Sequence, residues 1–98
     1  QVCFYGHTHV PRIFEKSDSV RAARGDEVSL ERGVKYFVNV GSVGQPRDGD
    51  WRASYAVYDT QSHHISIRRL EYDLRLTQQK IIDAGLPTLL AERLALGK

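Results

Sequence analysis

Two histidines one residue apart, His7 and His9, follow a glycine in the run Tyr5-Gly6-His7-Thr8-His9. The apolar residues ahead of them, Val2, Cys3, Phe4 and Tyr5, read as the end of a buried strand. In an extended segment residues i and i+2 point to the same side, roughly 6.6 Å apart along the chain. That spacing lets two imidazoles converge on one metal ion, or on two ions about 3.5–4 Å apart. A glycine at this point lets a strand turn sharply and present side chains at the C-terminal edge of a sheet, where ligands of α/β proteins gather. The competing reading is a pair of solvated turn histidines. A metal site also needs roughly three or four protein ligands, and a dinuclear one more. Most partners of His7 and His9 must therefore come from elsewhere.

Other residues carry weaker signals. Arg47, in Gln45-Pro46-Arg47-Asp48-Gly49-Asp50, offers a fork of donors to a phosphate. Equally, it could pair with Asp48 or Asp50 and shape its own loop. Ser42 has no base within its segment, so a tight turn at Gly41-Ser42 outweighs a nucleophile; a contact to substrate is the role left for it. His63 and His64 are adjacent and fall at a hairpin turn, so they read as solvated. Trp51 could line a substrate mouth, or pack over loop backbone. Cys3 has no second cysteine to pair with and reads as a small buried hydrophobe. A lone thiol fits a reducing compartment, and the expected location is the cytoplasm.

Composition excludes several classes. At 41% hydrophobic and 27% charged residues over 98 positions, the chain is that of an ordinary globular domain or part of one. A formal net charge of +2, with basic residues dispersed among acidic ones, gives no polybasic run and no specific nucleic-acid surface. No stretch approaches the roughly 20 apolar residues of a membrane span. The apolar run at Val2–Tyr5 reads as a strand already under way. That predicts an N-terminal part outside these residues.

The elements that must position the candidates alternate in period. Val10-Pro11 forces a turn or extended backbone, and Ile13-Phe14 is expected as a short edge strand. Residues 15–26 read as a surface loop. Val28 and Leu30, then Val34, Tyr36, Val38 and Val40, predict a hairpin turning at Arg32-Gly33. Phe37 interrupts the alternation, which suggests a strand covered on both faces. Residues 39–50 form a Gly- and Pro-rich loop. A second hairpin joins Tyr55–Asp59 to a strand from His64 towards Tyr72. Asp73 or Thr77 can cap a helix that Gly85 ends. Pro87 opens a second helix, with Leu86, Leu89, Leu90 and Leu94 on one face.

Taken together, Gly6-His7-Thr8-His9, Asn39-Val40-Gly41-Ser42-Val43-Gly44-Gln45-Pro46-Arg47 and Ala53-Ser54-Tyr55-Ala56 resemble the C-terminal part of calcineurin-like metallophosphoesterases. The ending, with Tyr72-Asp73, Ala84-Gly85-Leu86-Pro87 and Leu90-Ala91-Glu92-Arg93-Leu94, is similar to that of the small prokaryotic single-domain members. The resemblance implies an α/β fold, part of a four-layer αββα sandwich, with residues 1–98 as the C-terminal portion of one domain. It implies a dinuclear centre in which His7 serves one metal and His9 the other, with Ser42 and Arg47 on the rim. The family's Asp-x-His and Gly-Asn-His ligand motifs do not occur here, and neither Gly25-Asp26 nor Gly49-Asp50 precedes the Gly-His-x-His run as the family's Gly-Asp motif does.

The expected cofactors are two divalent transition metal ions, and imidazole suits Mn, Fe, Zn or Ni alike. The expected function is hydrolysis of a phosphomonoester or phosphodiester by the intact parent, with the 98 residues alone inactive and no catalytic residue within them. The alternative is a non-catalytic scaffold or protein-binding module of the same fold. The expected partners are a phosphoester substrate and either the missing N-terminal half or a second copy, joined through exposed strand edges.

Overall fold

Alternating apolar and polar residues build two facing sheets in the computed structural model, which describes all 98 residues. The strands are β1 (Val2–Tyr5), β2 (Arg12–Lys16), β3 (Val20–Ala22), β4 (Glu27–Ser29), β5 (Lys35–Asn39), β6 (Ala53–Asp59) and β7 (His64–Leu70). Helices α1 (Leu74–Asp83) and α2 (Thr88–Leu96) follow. One sheet has the order β1-β5-β2-β3 and the other β4-β7-β6. Only β1 and β5 run parallel, with Val2 opposite Tyr36 and Tyr5 opposite Asn39; the other pairings are antiparallel. The result is the mixed α/β architecture that the sequence implies.

The sheets meet through Ile13, Tyr36 and Val38 of the first and Ile65 and Ile67 of the second. Each such side chain contributes about 1.5–3 kcal/mol on burial. Only 13 of the 98 residues are buried, so this small core leaves other apolar surface open. Phe37 and Cys3 are among the exposed residues. Cys3 is thus not the buried hydrophobe expected of it, because the sheet face it occupies has nothing packed on it. Phe37, on that same face, is likewise uncovered.

Several strand expectations are corrected. Ile13-Phe14 does not lie at an edge: β2 is flanked by β5 and β3, and Ile13 pairs with Val38 in the core. The segment read as a loop over residues 15–26 contains the end of β2 and all of β3, joined by a tight turn. Gly33 does take the left-handed conformation of a turn, at φ 81°. It does not close a hairpin, however, since β4 pairs with β7 and not with β5. Val28 lies opposite Ile65 in one sheet while Val38 faces them from the other. Apolar alternation says that two strands share a core; it does not say whether they meet edge to edge or face to face.

The second hairpin is as expected, with Tyr55 opposite Arg68 and Asp59 opposite His64, although its second strand stops at Leu70. Asp73 caps α1 by accepting from the Leu76 N–H at 3.1 Å; Thr77 lies inside the helix. The four-leucine face is only partly used. Leu94 is buried, but Leu86 and Leu89 are exposed, because α2 docks through its C-terminal end. There the Gly49 N–H donates to the Gly97 carbonyl at 2.9 Å, and a Cβ on Gly97 would come within 2.6 Å of Asp50 backbone.

Candidate metal centre at the end of the parallel strands

β1 and β5 end side by side, and the loops that leave them carry the candidate residues. The first loop is not the extended segment that the His-x-His spacing suggests. His7 and His9 both lie at positive φ, 81° and 62°, so the chain folds into a bend and the same-side argument of a strand does not apply. Left-handed backbone costs an L-residue roughly 1–2 kcal/mol, and it persists only where surrounding contacts over-determine it.

Those contacts come from Asn39, the last residue of β5, which is 2% exposed. Its amide nitrogen donates to Thr8 Oγ1 at 2.7 Å and to the Gly6 carbonyl at 3.4 Å. Its amide oxygen accepts from the Gly41 N–H at 3.0 Å. One buried side chain therefore ties the histidine loop to the glycine loop. The Val40 N–H adds a backbone bond to the Tyr5 carbonyl at 3.0 Å.

The second loop supports His9 directly. His9 Nδ1 lies 2.8 Å from the Gln45 carbonyl oxygen. A carbonyl can only accept, so Nδ1 carries the proton and Nε2 is left with its lone pair available to a metal. Gln45 is placed in turn by Ser42, whose Oγ accepts from the Gln45 N–H at 2.9 Å. The Arg47 N–H donates to the His9 carbonyl at 3.1 Å, and its guanidinium donates to Gln45 Oε1 at 2.7 Å. His9, Ser42 and Arg47 are thus brought together through Gln45. Nothing in the sequence singled Gln45 out except its place before Pro46, which holds it extended. His7 is exposed and makes no hydrogen bond of its own.

Gly41 allows this close approach. It lies at φ +78°, and a Cβ there would fall 2.6 Å from Ser54 Oγ and 3.2 Å from Pro11. Ser54, buried at the start of β6, donates from Oγ to the Val40 carbonyl and from its N–H to the Ser42 carbonyl, both at 2.9 Å.

The salt bridge considered for Arg47 is not formed, because its acidic neighbours are engaged by other arginines. Asp50 accepts two hydrogen bonds from the Arg52 guanidinium, at 2.8 and 3.1 Å, while Asp48 pairs with Arg69. The Arg52 side chain pulls the Asp50 carboxyl down to a pKa of about 2. Arg47 is left exposed, with guanidinium donors free. Trp51 stacks at a tilt on Tyr72, ring centroids 5.6 Å apart, and burial raises the Tyr72 phenol above its ordinary value. His63 lies exposed in the hairpin turn, while His64, half-buried, is 3.6 Å from Glu27 across the sheet. Both are far in sequence and in topology from the parallel strand ends.

Whether these residues fit a metal is answered in part. One imidazole is oriented and tautomerically fixed, and a second stands one residue away. No group of three or more histidine, cysteine or carboxylate side chains converges anywhere in the chain. The donors present would fit only a portion of a ligand set, and a centre built on them would need further ligands.

Residues 1–63 match the calcineurin-like phosphoesterase superfamily domain, and the chain belongs to that superfamily. It is 41% identical over 95 residues to the uncharacterized protein MJ0912 of Methanocaldococcus jannaschii, covering 97% of this chain and 39% of that protein. The crystal structure of a metallophosphoesterase from Sphaerobacter thermophilus superposes with a TM-score of 0.83 at 37% identity, over 99% of this chain and 42% of that one. The chain spans about two fifths of the length of these relatives.

Proposed function

We propose that this chain is the part of a phosphoester hydrolase that contributes His7 and His9 to a centre of two divalent metal ions, with Mn, Fe, Zn and Ni as candidates. The observation that carries the reading is the His9 Nδ1 bond to the Gln45 carbonyl within a left-handed bend. Such a bond fixes the tautomer and orientation of a ligating imidazole. Divalent ions held there would supply Lewis-acid polarisation of a phosphoryl oxygen. This chain's own share is to aim Nε2 of His9 and to leave the Arg47 guanidinium, steadied by Gln45, free for substrate phosphate oxygens. Substrates are phosphomonoesters or phosphodiesters. The cytoplasm is the location we favour, on the strength of the unpaired thiol of Cys3; no helix is long and apolar enough to cross a membrane.

Activity is expected only when the remaining ligands are supplied. The 98-residue chain incubated with an aryl phosphate or diester and Mn²⁺ should show no turnover above buffer. Within a longer polypeptide carrying the other ligands, His9→Ala should remove turnover, while Gln45→Ala, which keeps the carbonyl, should not. Turnover by the isolated chain that His9→Ala abolishes would overturn the division of ligands. An intact longer polypeptide that binds metal and hydrolyses neither ester class would favour a scaffold.

A further inference from the structure

Between Pro46 and Ala53 the second loop carries Arg47, Asp48, Asp50 and Arg52. A third guanidinium reaches it from β7: Arg69, opposite Ser54 in the hairpin register. Three cations thus meet two carboxylates, and the pairing decides which cation is left over. Asp50 gives both of its oxygens to Arg52, accepting from the guanidinium at 2.8 and 3.1 Å and from the N–H at 3.0 Å. Asp48 goes to Arg69. The Arg69 and Asp48 side chains are only 14% and 22% exposed, so their pair is better shielded from water than a rim salt bridge. Arg69 also donates to the Arg52 carbonyl at 3.4 Å and lies 3.8 Å from Asp50 Oδ2. The cation left over is Arg47, whose own N–H bonds the His9 carbonyl.

We propose that Arg69 is a positioning residue for substrate phosphate, acting through Arg47: it holds the Asp48 carboxylate against β7 and so keeps the Arg47 guanidinium unpaired. The proposal rests on the phosphate contact assigned to Arg47 above. Arg47 and Asp48 are neighbours in the chain, and a carboxylate released there acts twice in the same direction. It pairs with the guanidinium, and it repels an anionic substrate. Collapse of the loop is not the expected result of releasing it. The Gly49 N–H still bonds the Gly97 carbonyl at 2.9 Å, and the Arg47 N–H still bonds the His9 carbonyl at 3.1 Å. The backbone of residues 47–49 is therefore anchored without Arg69, and what Arg69 adds is the placement of charge. A lysine there would still neutralise Asp48, though without the fork that also reaches the Arg52 carbonyl.

Steady-state kinetics with an aryl phosphate or diester tests this in a longer polypeptide carrying the other ligands. Arg69→Gln should raise KM about three- to tenfold and leave kcat within about twofold. Adding Asp48→Asn should return KM to that of the parent, whereas a merely structural Arg69 would gain nothing from the loss of Asp48. Arg69→Lys should recover most of the affinity. In Arg47→Met, where KM is already raised, Arg69→Gln should add nothing. In the unsubstituted protein, NMR should show the guanidinium protons of Arg69 exchanging about tenfold or more slowly than those of Arg47. That measurement decides the pairing even if Arg69→Gln does not fold. A KM that Arg69→Gln does not move, a raised KM that Asp48→Asn leaves raised, or an Arg47 guanidinium as protected as that of Arg69 would each overturn the proposal. Turnover with KM unchanged in Arg47→Met would overturn it through the phosphate contact alone. No turnover at all would sink the hydrolase reading itself, and the proposal with it.

Discussion

The two histidine pairs use the same residue type, share an unusual backbone at three of their four residues, and differ in everything around them. His7, His9 and His63 all have positive φ, at 81°, 62° and 54°. At His63 the conformation is a matter of hairpin closure. Asp59 accepts from the N–H groups of Gln61 and Ser62 at 2.9 and 3.1 Å, and the following residue has to turn back into β7. At His7 and His9 no hairpin demands it. A buried amide, a proline-flanked carbonyl and a glycine with no room for a Cβ hold the bend instead. Strain that a turn explains carries no functional message; strain braced by buried polar groups does.

The largest test of that contrast is Gly41→Ala. Overpacking against Ser54 costs about 1–3 kcal/mol, and the left-handed backbone about 1–2 kcal/mol more. Urea unfolding should show a combined loss of about 2–5 kcal/mol. Gly85→Ala, at φ +75° with open space around it, should lose only the backbone share. Equal losses would mean that Gly41 is not packed against Ser54 as described.

Asn39→Ala comes next. It strands the Gly41 N–H and frees Thr8, at about 1–3 kcal/mol, and should raise amide exchange across residues 6–9 and 40–42. No side chain of the second pair should matter as much. His64→Ala removes a half-exposed contact to Glu27 and Ser29 and should stay within about 0.5 kcal/mol.

Acid should separate the pairs in a further way. The N–H groups of Ser62 and Gln61 hold the Asp59 carboxyl below its ordinary value. A depressed folded pKa contributes stability that is complete above the ordinary carboxylate value. That stability is lost as pH falls through the depressed one, so the window opens below about pH 4. The Asp50–Arg52 clamp is lost in the same direction, towards pH 2. Protection factors at residues 60–63 should fall in this window, while those at residues 39–42, held by neutral amides, should not. A small effect also belongs to His63→Gly, which relieves left-handed strain at the cost of chain entropy. It should change stability by no more than about 1 kcal/mol. A loss well beyond that would show that His63 is more than a turn residue.

Much of this was legible in the residues themselves. The Tyr55–Asp59 hairpin, the Asp73 cap and the Gly85 stop follow from period and local turn chemistry, which act over a few residues. The roles of Asn39 and Gln45 were not legible, since such a residue looks the same whether its polar groups face water or a side chain 31 or 36 residues away. The placement of β4 failed for a related reason. An alternating strand advertises one apolar face, and either sheet of the sandwich could have received it.

By itself, then, the sequence determined the strand and helix periods, the glycines of the two loops, and the presence of two imidazoles one residue apart. Tertiary structure decided that these loops leave neighbouring parallel strands. It also decided that His7 and His9 bend rather than extend, and that a carbonyl from the second loop fixes which nitrogen of His9 is free. The division has a physical cause. Periodicity and turn propensity are local properties of the chain, whereas the tautomer of an imidazole depends on whichever distant oxygen the fold brings within 2.8 Å.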